Sequence, residues 1–364
     1  MKQKYRILPV LLLWAGLTVC AWLLPAKAAS DAERRPLAQA PELTAENLQN
    51  GSFMTKFEDY CLDQFPMRDN FRTLKSLFHY FALGQRDNNG IYLSNGAAVK
   101  QEYPLDEKSV SHALNRFGRV YEKYLQDSGG KILMAVVPDK GYYLAEKSGQ
   151  LAMDYDALFE AVRQGMPWAE QVALTDCLGA EDYYRTDTHW RQERLLPAAE
   201  KIAQALGVTA PKAADFTEET LPRPFYGVYY GQAALPMAAD SLTYLDSPIL
   251  RDCTVFDYET GKIGGIYDKT KENGKDLYEL FLSGAKSLLT VENPHAGTER
   301  ELVIFRDSFG SSLAPLLMQD YARVTLVDIR YLQTDALGQF LDFHGQDVLF
   351  LYSTLVLNNS GTMK

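Results

Sequence analysis

Two short stretches hold residue types that can do nucleophilic and acid–base chemistry together. EDYYRTDTHW, residues 181–190, sets Asp187 two positions before His189, one of only five histidines in the chain. ELVIFRDSFG, residues 301–310, is an apolar run closed by Asp307, Ser308 and Phe309. A serine nucleophile needs a base to take its proton, and the base needs a carboxylate to fix its tautomer. Ser308 falls where a predicted strand turns into a predicted helix. That position exposes the hydroxyl and aims the serine's own N–H at a developing oxyanion. Asp187 and His189 fall at a loop-to-helix junction, where a spacing of two lets the carboxylate reach the imidazole Nδ1. The plainer alternatives are an N-cap serine at Ser308 and a helix-start histidine capped by Asp187. Trp190 reads as core packing. His79 and His112 lie within amphipathic patterns, and His295 and His344 in loops beside Pro and Gly. A metal site needs about three ligands, and only Asp187 and His189 cluster.

The elements that must position these residues follow from hydrophobic periodicity. Residues 53–84 carry apolar residues at helical spacing, with Pro66 separating two helices. Residues 88–99 read as a hairpin with Asn-Gly turn signals. An alternation then begins: helix 109–129, strand 131–140, helix 154–166, short strand 171–178, and helix 189–207 ended by Gly207. Residues 211–290 are less regular, with strand-like pieces such as YGVYYGQA and IGGIYD. The alternation returns with strand ELVIFRD, helix GSSLAPLLMQDY, strand RVTLVDIR, helix ALGQFLDFHG and strand DVLFLYS. Strands alternating with helices predict an α/β fold with a doubly wound, mostly parallel sheet and a helical N-terminal segment. In such sheets functional residues gather at the carboxyl ends of strands. VVPDKG, residues 136–141, is a second such end, and it offers Lys140 and the N–H groups of the Pro138–Gly141 loop as oxyanion candidates. Arg306, just before the Asp-Ser pair, is a candidate for meeting an anionic substrate, or else a surface ion-pair partner. Tyr183, Tyr184, Phe225, Tyr226, Tyr229 and Tyr230 could form an aromatic wall for a sugar ring. Core and loop packing is the plainer account of each, as a solvated loop lysine is for Lys140.

The first thirty residues differ from the rest. Lys2, Lys4 and Arg6 precede an apolar run, 7–25, and Ala26-Lys27-Ala28 is a small-residue cleavage box. The run is long for a signal peptide and about long enough for a span. Residues 1–29 are therefore read as a signal peptide or an N-terminal membrane anchor, 30–50 as a polar stalk, and 51–364 as the main domain. Either reading places the body outside the cytoplasm. Losing residues 1–29 removes four cations and no anions, taking the formal charge from −10 to −14. So acidic a body is not expected to bind nucleic acid. Cys61, Cys177 and Cys253 remain. They allow one disulfide but no cysteine framework or zinc site.

EDYYRTDTHW together with FRDSFG resembles the DHHW proteins, SGNH-hydrolase-like proteins related to the alginate O-acetylation factors of the AlgX and AlgJ type. ERRPLAQAPELT, DQFPMRDNF, VVPDKGYYL, YELFLSG and DSFGSSLAPLL extend the resemblance over nearly the whole exported body. The DHHW proteins carry His where this chain has Thr188; the alginate-type relatives show Asp-Thr-His-Trp, as here. The resemblance implies a circularly permuted SGNH-hydrolase-like fold. It also implies Ser308 as nucleophile, His189 as general base then acid, and Asp187 as the orienting carboxylate, with no cofactor. Lys140, Arg306 and Tyr184 stand as substrate or oxyanion candidates. It further implies a polysaccharide acceptor, acetyl as the acyl group, and a membrane-bound O-acyltransferase as a partner. The expected activity is that of an extracytoplasmic serine acyltransferase or acetylesterase. The competing class is a non-catalytic surface protein that binds glycan or docks such a partner. A lipase or peptidase is disfavoured, because the chain lacks a G-x-S-x-G elbow.

Overall fold

Six-residue runs such as ILMAVV are apolar on both faces, and a strand of that kind is stable only with helices packed above and below it. The computed structural model, which describes residues 4–30 and 32–364, places this run at the centre of such an arrangement. Its main sheet has eight strands: β1 (Ile132–Val137), β2 (Glu170–Gln171), β3 (Thr254–Asp257), β4 (Lys262–Gly264), β5 (Leu288–Glu292), β6 (Glu301–Arg306), β7 (Arg323–Val327) and β8 (Asp347–Ser353). Their spatial order is β4-β3-β5-β7-β6-β8-β1-β2. The pairings from β7 through β6, β8 and β1 to β2 are parallel. Those joining β7 to β5, β5 to β3 and β3 to β4 are antiparallel. The sheet is thus mixed, with its antiparallel part in the stretch whose sequence lacks alternating helices. Antiparallel neighbours need no crossover helix.

Three helices flank the parallel half. α1 (Glu107–Val120) is capped by Asp106, which accepts from the N–H groups of Lys108 and Ser109. α2 (Tyr155–Gly165) is capped by Asp154 in the same way, through Ala157 N–H. α1 and α2 pack Phe117, Val120, Leu158 and Val162 against Met134, Val136, Val303, Phe305 and Phe350. α3 (Leu196–Leu206) packs Ala199, Ile202 and Leu206 against Leu133, Ala135, Ile304 and Leu349 on the opposite face. Alternate residues of β1, β6 and β8 therefore enter opposite cores, as a period of two requires.

Several predicted elements differ: the strand expected over 171–178 pairs only at Glu170–Gln171, and the helix expected over GSSLAPLLMQDY is the short helix Gly310–Leu313 followed by a 3₁₀ turn, Ala314–Leu317. The helix expected over 189–207 begins only at Leu196, with Pro197 in its first turn and Gly207 at its end in the left-handed region (φ 71°). Proline is favoured at the first helical turn, so the chain ahead of it is free to form a loop. The strand-like YGVYYGQA contains the short helix Val228–Ala233, and Val228 N–H is taken by the Asp187 carboxylate, so it pairs with no strand. ALGQFLDFHG holds only a 3₁₀ turn, Thr334–Gln339. The predicted hairpin is present as Ile91–Ser94 paired with Ala97–Lys100. Its turn residues Asn95 and Gly96 both have positive φ (49° and 77°), the backbone that a two-residue hairpin loop demands.

The chain divides into two units. One holds Gly90–Tyr229 and Ala238–Lys364, and all the elements above except part of the Val228–Ala233 helix. The other holds the described residues up to Asn89 together with Tyr230–Met237. In this second unit the helix Lys4–Leu23 exposes apolar residues such as Leu12, Trp14 and Trp22. Among the described residues no helix is long and apolar enough to cross a membrane. Lys2 of the positive flank lies outside the described residues. Helices Ser52–Asp63 and Arg68–Leu77 are separated by the Pro66 turn, and Arg35 grips Asp63 through two hydrogen bonds of 2.8 and 2.6 Å. The thiols of Cys20, Cys61, Cys177 and Cys253 are all free, so the allowed disulfide is not formed.

Candidate active site

Ser308 follows directly from the end of β6. Asp307, fully buried, accepts from Phe309 N–H at 3.0 Å through one oxygen and from Ser353 N–H, at the end of the neighbouring strand β8, at 2.8 Å through the other. The carboxylate thereby closes a tight turn between β6 and the short helix Gly310–Leu313. The turn demands close approach: a Cβ at Gly310 would stand 2.7 Å from Arg306 Cβ. Ser308 itself is left half-buried at the carboxyl end of the strand. ELVIFRDSFG includes Asp307, but its role in holding the turn depends on Ser353 of β8 and is not legible in the sequence.

Asp187 and His189 sit in a loop closed at its base by the antiparallel bridge between Tyr183 and Trp190. Tyr184 N–H donates to His189 O at 3.0 Å. The loop, not a helix start, is what brings residues two apart face to face. Asp240 braces it from outside, accepting from the N–H groups of Arg185 (3.0 Å) and Thr186 (2.8 Å) and from the Thr186 hydroxyl (2.6 Å). Trp190 lies in the core, as expected, and also joins the two motifs. Its Nε1–H donates to Ser312 Oγ at 2.8 Å, and Gln192 Nε2 donates to Ser312 O at 2.8 Å. The residues behind the histidine are thus tied to the helix behind the serine.

The result is a continuous array. His189 Nε2 lies 2.8 Å from Ser308 Oγ, and His189 Nδ1 lies 2.5 Å from Asp187 Oδ1. Asp187 is wholly buried and His189 nearly so, at 8% exposure. The same Oδ1 accepts from His189 N–H at 3.0 Å, and Oδ2 accepts from Val228 N–H at 2.8 Å. Gly227 makes room for this: a Cβ there would come within 2.5 Å of Asp187 Oδ2. With a carboxylate accepting at Nδ1, the imidazole carries its proton there, and the Nε2 lone pair faces the serine hydroxyl. Such an array can draw the hydroxyl proton while the oxygen attacks an acyl carbon. The ring of Tyr278, the first residue of the YELFLSG stretch, lies parallel to the imidazole at 3.8 Å and 9°, a contact that nothing local to that stretch announces.

The remaining site candidates lie deeper. Lys140 is buried, contrary to the solvated alternative. Its ammonium donates to Tyr184 O at 2.9 Å and lies 5.0 Å from the Tyr229 ring centre. Burial pushes its pKa down to about 7. Tyr184 is fully buried among Phe225 and Tyr278, and its hydroxyl has no hydrogen-bond partner among the described residues. Both underlie the Asp187 loop. Arg306 is fully buried, so the surface ion-pair alternative falls. Its guanidinium donates at 3.4 Å to Asp307 O and to Lys286 O, and burial lowers its pKa. In the Pro138–Gly141 loop, Asp139 N–H is engaged by Thr354 Oγ1 at 3.1 Å and Gly141 N–H by Asp139 Oδ2 at 2.8 Å. Of the expected aromatic wall, Tyr183, Tyr184, Phe225 and Tyr229 are buried and Tyr226 is exposed.

Residues 93–255 match the family described as SGNH hydrolase-like domain, acetyltransferase AlgX. That stretch is under half of the chain and contains Asp187 and His189 but not Ser308. A DHHW family protein from Eubacterium siraeum is similar in structure, with a TM-score of 0.60 and 20% identity over 76% of this chain and 95% of that one. PatB1 from Bacillus cereus, solved with a sulfonyl adduct, has a TM-score of 0.60 and 16% identity over 73% of this chain and 95% of its own. The two structural likenesses establish the fold. A comparison with curated proteins finds no match.

Proposed function

We propose that this chain, an SGNH-hydrolase-like protein related to the AlgX, AlgJ and DHHW proteins, is an extracytoplasmic serine acyltransferase or acetylesterase acting on a cell-surface or secreted polysaccharide. The observation that carries the reading is the unbroken Asp187–His189–Ser308 array, with contacts of 2.5 and 2.8 Å. Ser308 Oγ attacks the carbonyl carbon of an acyl ester while its proton passes to His189 Nε2. The tetrahedral intermediate collapses as the imidazolium returns that proton to the departing alkoxide. An acyl-Ser308 ester remains. A sugar hydroxyl, or water, then gives its proton to the same nitrogen and attacks the acyl carbon, and the imidazolium returns that proton to Ser308 Oγ as the serine departs. Asp187 holds the tautomer and offsets the imidazolium charge throughout. An ester is already an activated acyl donor, so the cycle balances without a cofactor.

The choice between sugar and water depends on how the site excludes water. Acetyl is the proposed acyl group, and a membrane-bound O-acyltransferase the proposed partner that supplies it. The circular permutation belongs to the same reading, because the Asp-His pair precedes the serine in sequence. So does the location: the cationic flank, apolar run and Ala26-Lys27-Ala28 box support export of residues 30–364, with the N-terminal segment cleaved or kept as an anchor. The test follows acetate release from a small chromogenic acetyl ester by the purified chain. Turnover abolished by both Ser308→Ala and His189→Ala is expected. Turnover that survives both substitutions would remove the proposed chemistry from this site. A wild type that neither turns over the ester nor labels at Ser308 with a phosphonate probe would favour a binding protein.

A further inference from the structure

Neither motif contains the residue in closest ring contact with the proposed base. Tyr278 comes from the 3₁₀ turn Leu277–Leu280, capped by Asp276 through Tyr278 N–H at 3.0 Å. It is buried, at 4% exposure. Its ring covers one face of the His189 imidazole, 3.8 Å between centres and 9° from parallel, while Phe309 stands at 5.1 Å and 54°. Its hydroxyl shares a hydrogen bond of 2.9 Å with Ser312 Oγ and lies 3.4 Å from Ser308 O. Ser312 also receives Trp190 Nε1–H. One side chain therefore touches the base through its ring and the serine helix through its oxygen.

We propose that Tyr278 is a positioning residue that locks the imidazole of His189 in line with Ser308 Oγ through ring stacking; the inference rests on the reading of the site given above. Without the stack, the imidazole can turn about its outer side-chain bond, and its hydrogen bonds at Nδ1 and Nε2 are lost together. The ring face is also the negative side of the tyrosine quadrupole, well placed for the cation that forms when His189 takes the serine proton. The hydroxyl bond to Ser312 is secondary: it fixes the tyrosine and not the imidazole.

The test compares Tyr278→Phe, which keeps the ring, with Tyr278→Leu and the longer, unbranched Tyr278→Met, which do not. All are made in the full chain and assayed on the small acetyl ester and by the rate of phosphonate labelling at Ser308. The expected result is a fall in kcat of roughly 10- to 100-fold for Leu and Met, with KM changed less than about twofold. Labelling should slow in parallel, and Phe should restore most of the rate. Equal losses in Phe and Met would overturn the proposal in favour of the hydroxyl bond. A rise in KM at constant kcat would overturn it in favour of a substrate contact. A wild type that does not label at Ser308 would sink the reading of the site instead. In that event imidazole NMR still decides the inference. A single ring-current-shifted His189 signal set in wild type and Phe, broadened in Met, supports it; identical spectra in all three refute it.

Discussion

Replacing Asp187 by asparagine separates what the carboxylate does from the space it fills. The side chain is wholly buried and accepts from His189 Nδ1–H at 2.5 Å, His189 N–H at 3.0 Å and Val228 N–H at 2.8 Å. An amide has one acceptor oxygen. If that oxygen keeps both histidine bonds, the amide NH₂ confronts Val228 N–H, donor against donor. If the amide turns over, Val228 is satisfied and the NH₂ meets the imidazole, which must then carry its proton on Nε2 and can no longer take one from Ser308. The first state leaves a buried donor without a partner, at a cost of about 1–3 kcal/mol. The second gives the wrong tautomer, for which a loss in kcat of roughly a hundred- to ten-thousandfold is expected. Turnover of an acetyl ester and urea denaturation, read together, form the assay. Asp187→Asn should lose both activity and stability, whereas Ser308→Ala should lose activity with stability nearly unchanged. An Asp187→Asn variant that retains kcat within about threefold would refute the orienting role.

Two further predictions test the support of that loop. Burial sets the folded pKa of Lys140 at about 7, against 10.5 for the ordinary group. The unfolded chain therefore binds the proton more tightly, and stability rises with pH between these values. Relative to Lys140→Met, the wild type should gain about 2 kcal/mol between pH 7 and pH 9 in denaturant titrations; parallel profiles would refute the burial of a titrating amine. Gly227→Ala forces a Cβ within 2.5 Å of Asp187 Oδ2 and close to its backbone, which no rotamer relieves. A stability loss of about 1–3 kcal/mol, with loss of ester turnover, is expected, and wild-type behaviour in both assays would contradict the close approach.

What the sequence disclosed depended on whether the signal was local. The apolar runs of β1, β6, β7 and β8 and the Asn95-Gly96 turn are local, and each was legible. Of the antiparallel strands, β4 was only glimpsed in IGGIYD and β3 and β5 were not legible, because short or weakly patterned segments take meaning only from neighbours such as Val291 against Val255. The junction ahead of α3 shows the same limit. The run HWRQERLL has helical spacing, yet the bridge between Tyr183 and Trp190 and the carboxylate of Asp240 hold the preceding chain as a loop. Asp187, His189 and Ser308 could be selected because their chemistry is distinctive and their motifs compact. Tyr278, Asp307 and Asp240 could not, since each acts through a contact with a residue at least 30 positions away. For Lys140 the sequence leaves an oxyanion candidate and a solvated loop lysine side by side for a related reason: only the folded chain shows Tyr184 O and the Tyr229 ring around its ammonium.

The central claim is that Ser308 carries the acyl group. The direct measurement mixes the protein with an activated acetyl ester, quenches in acid and maps the adduct by peptide mass spectrometry. The account predicts one acetyl group on Ser308, absent in Ser308→Ala and formed far more slowly in His189→Ala. Ester turnover with no adduct at Ser308, or an adduct that forms equally fast without His189, would contradict it.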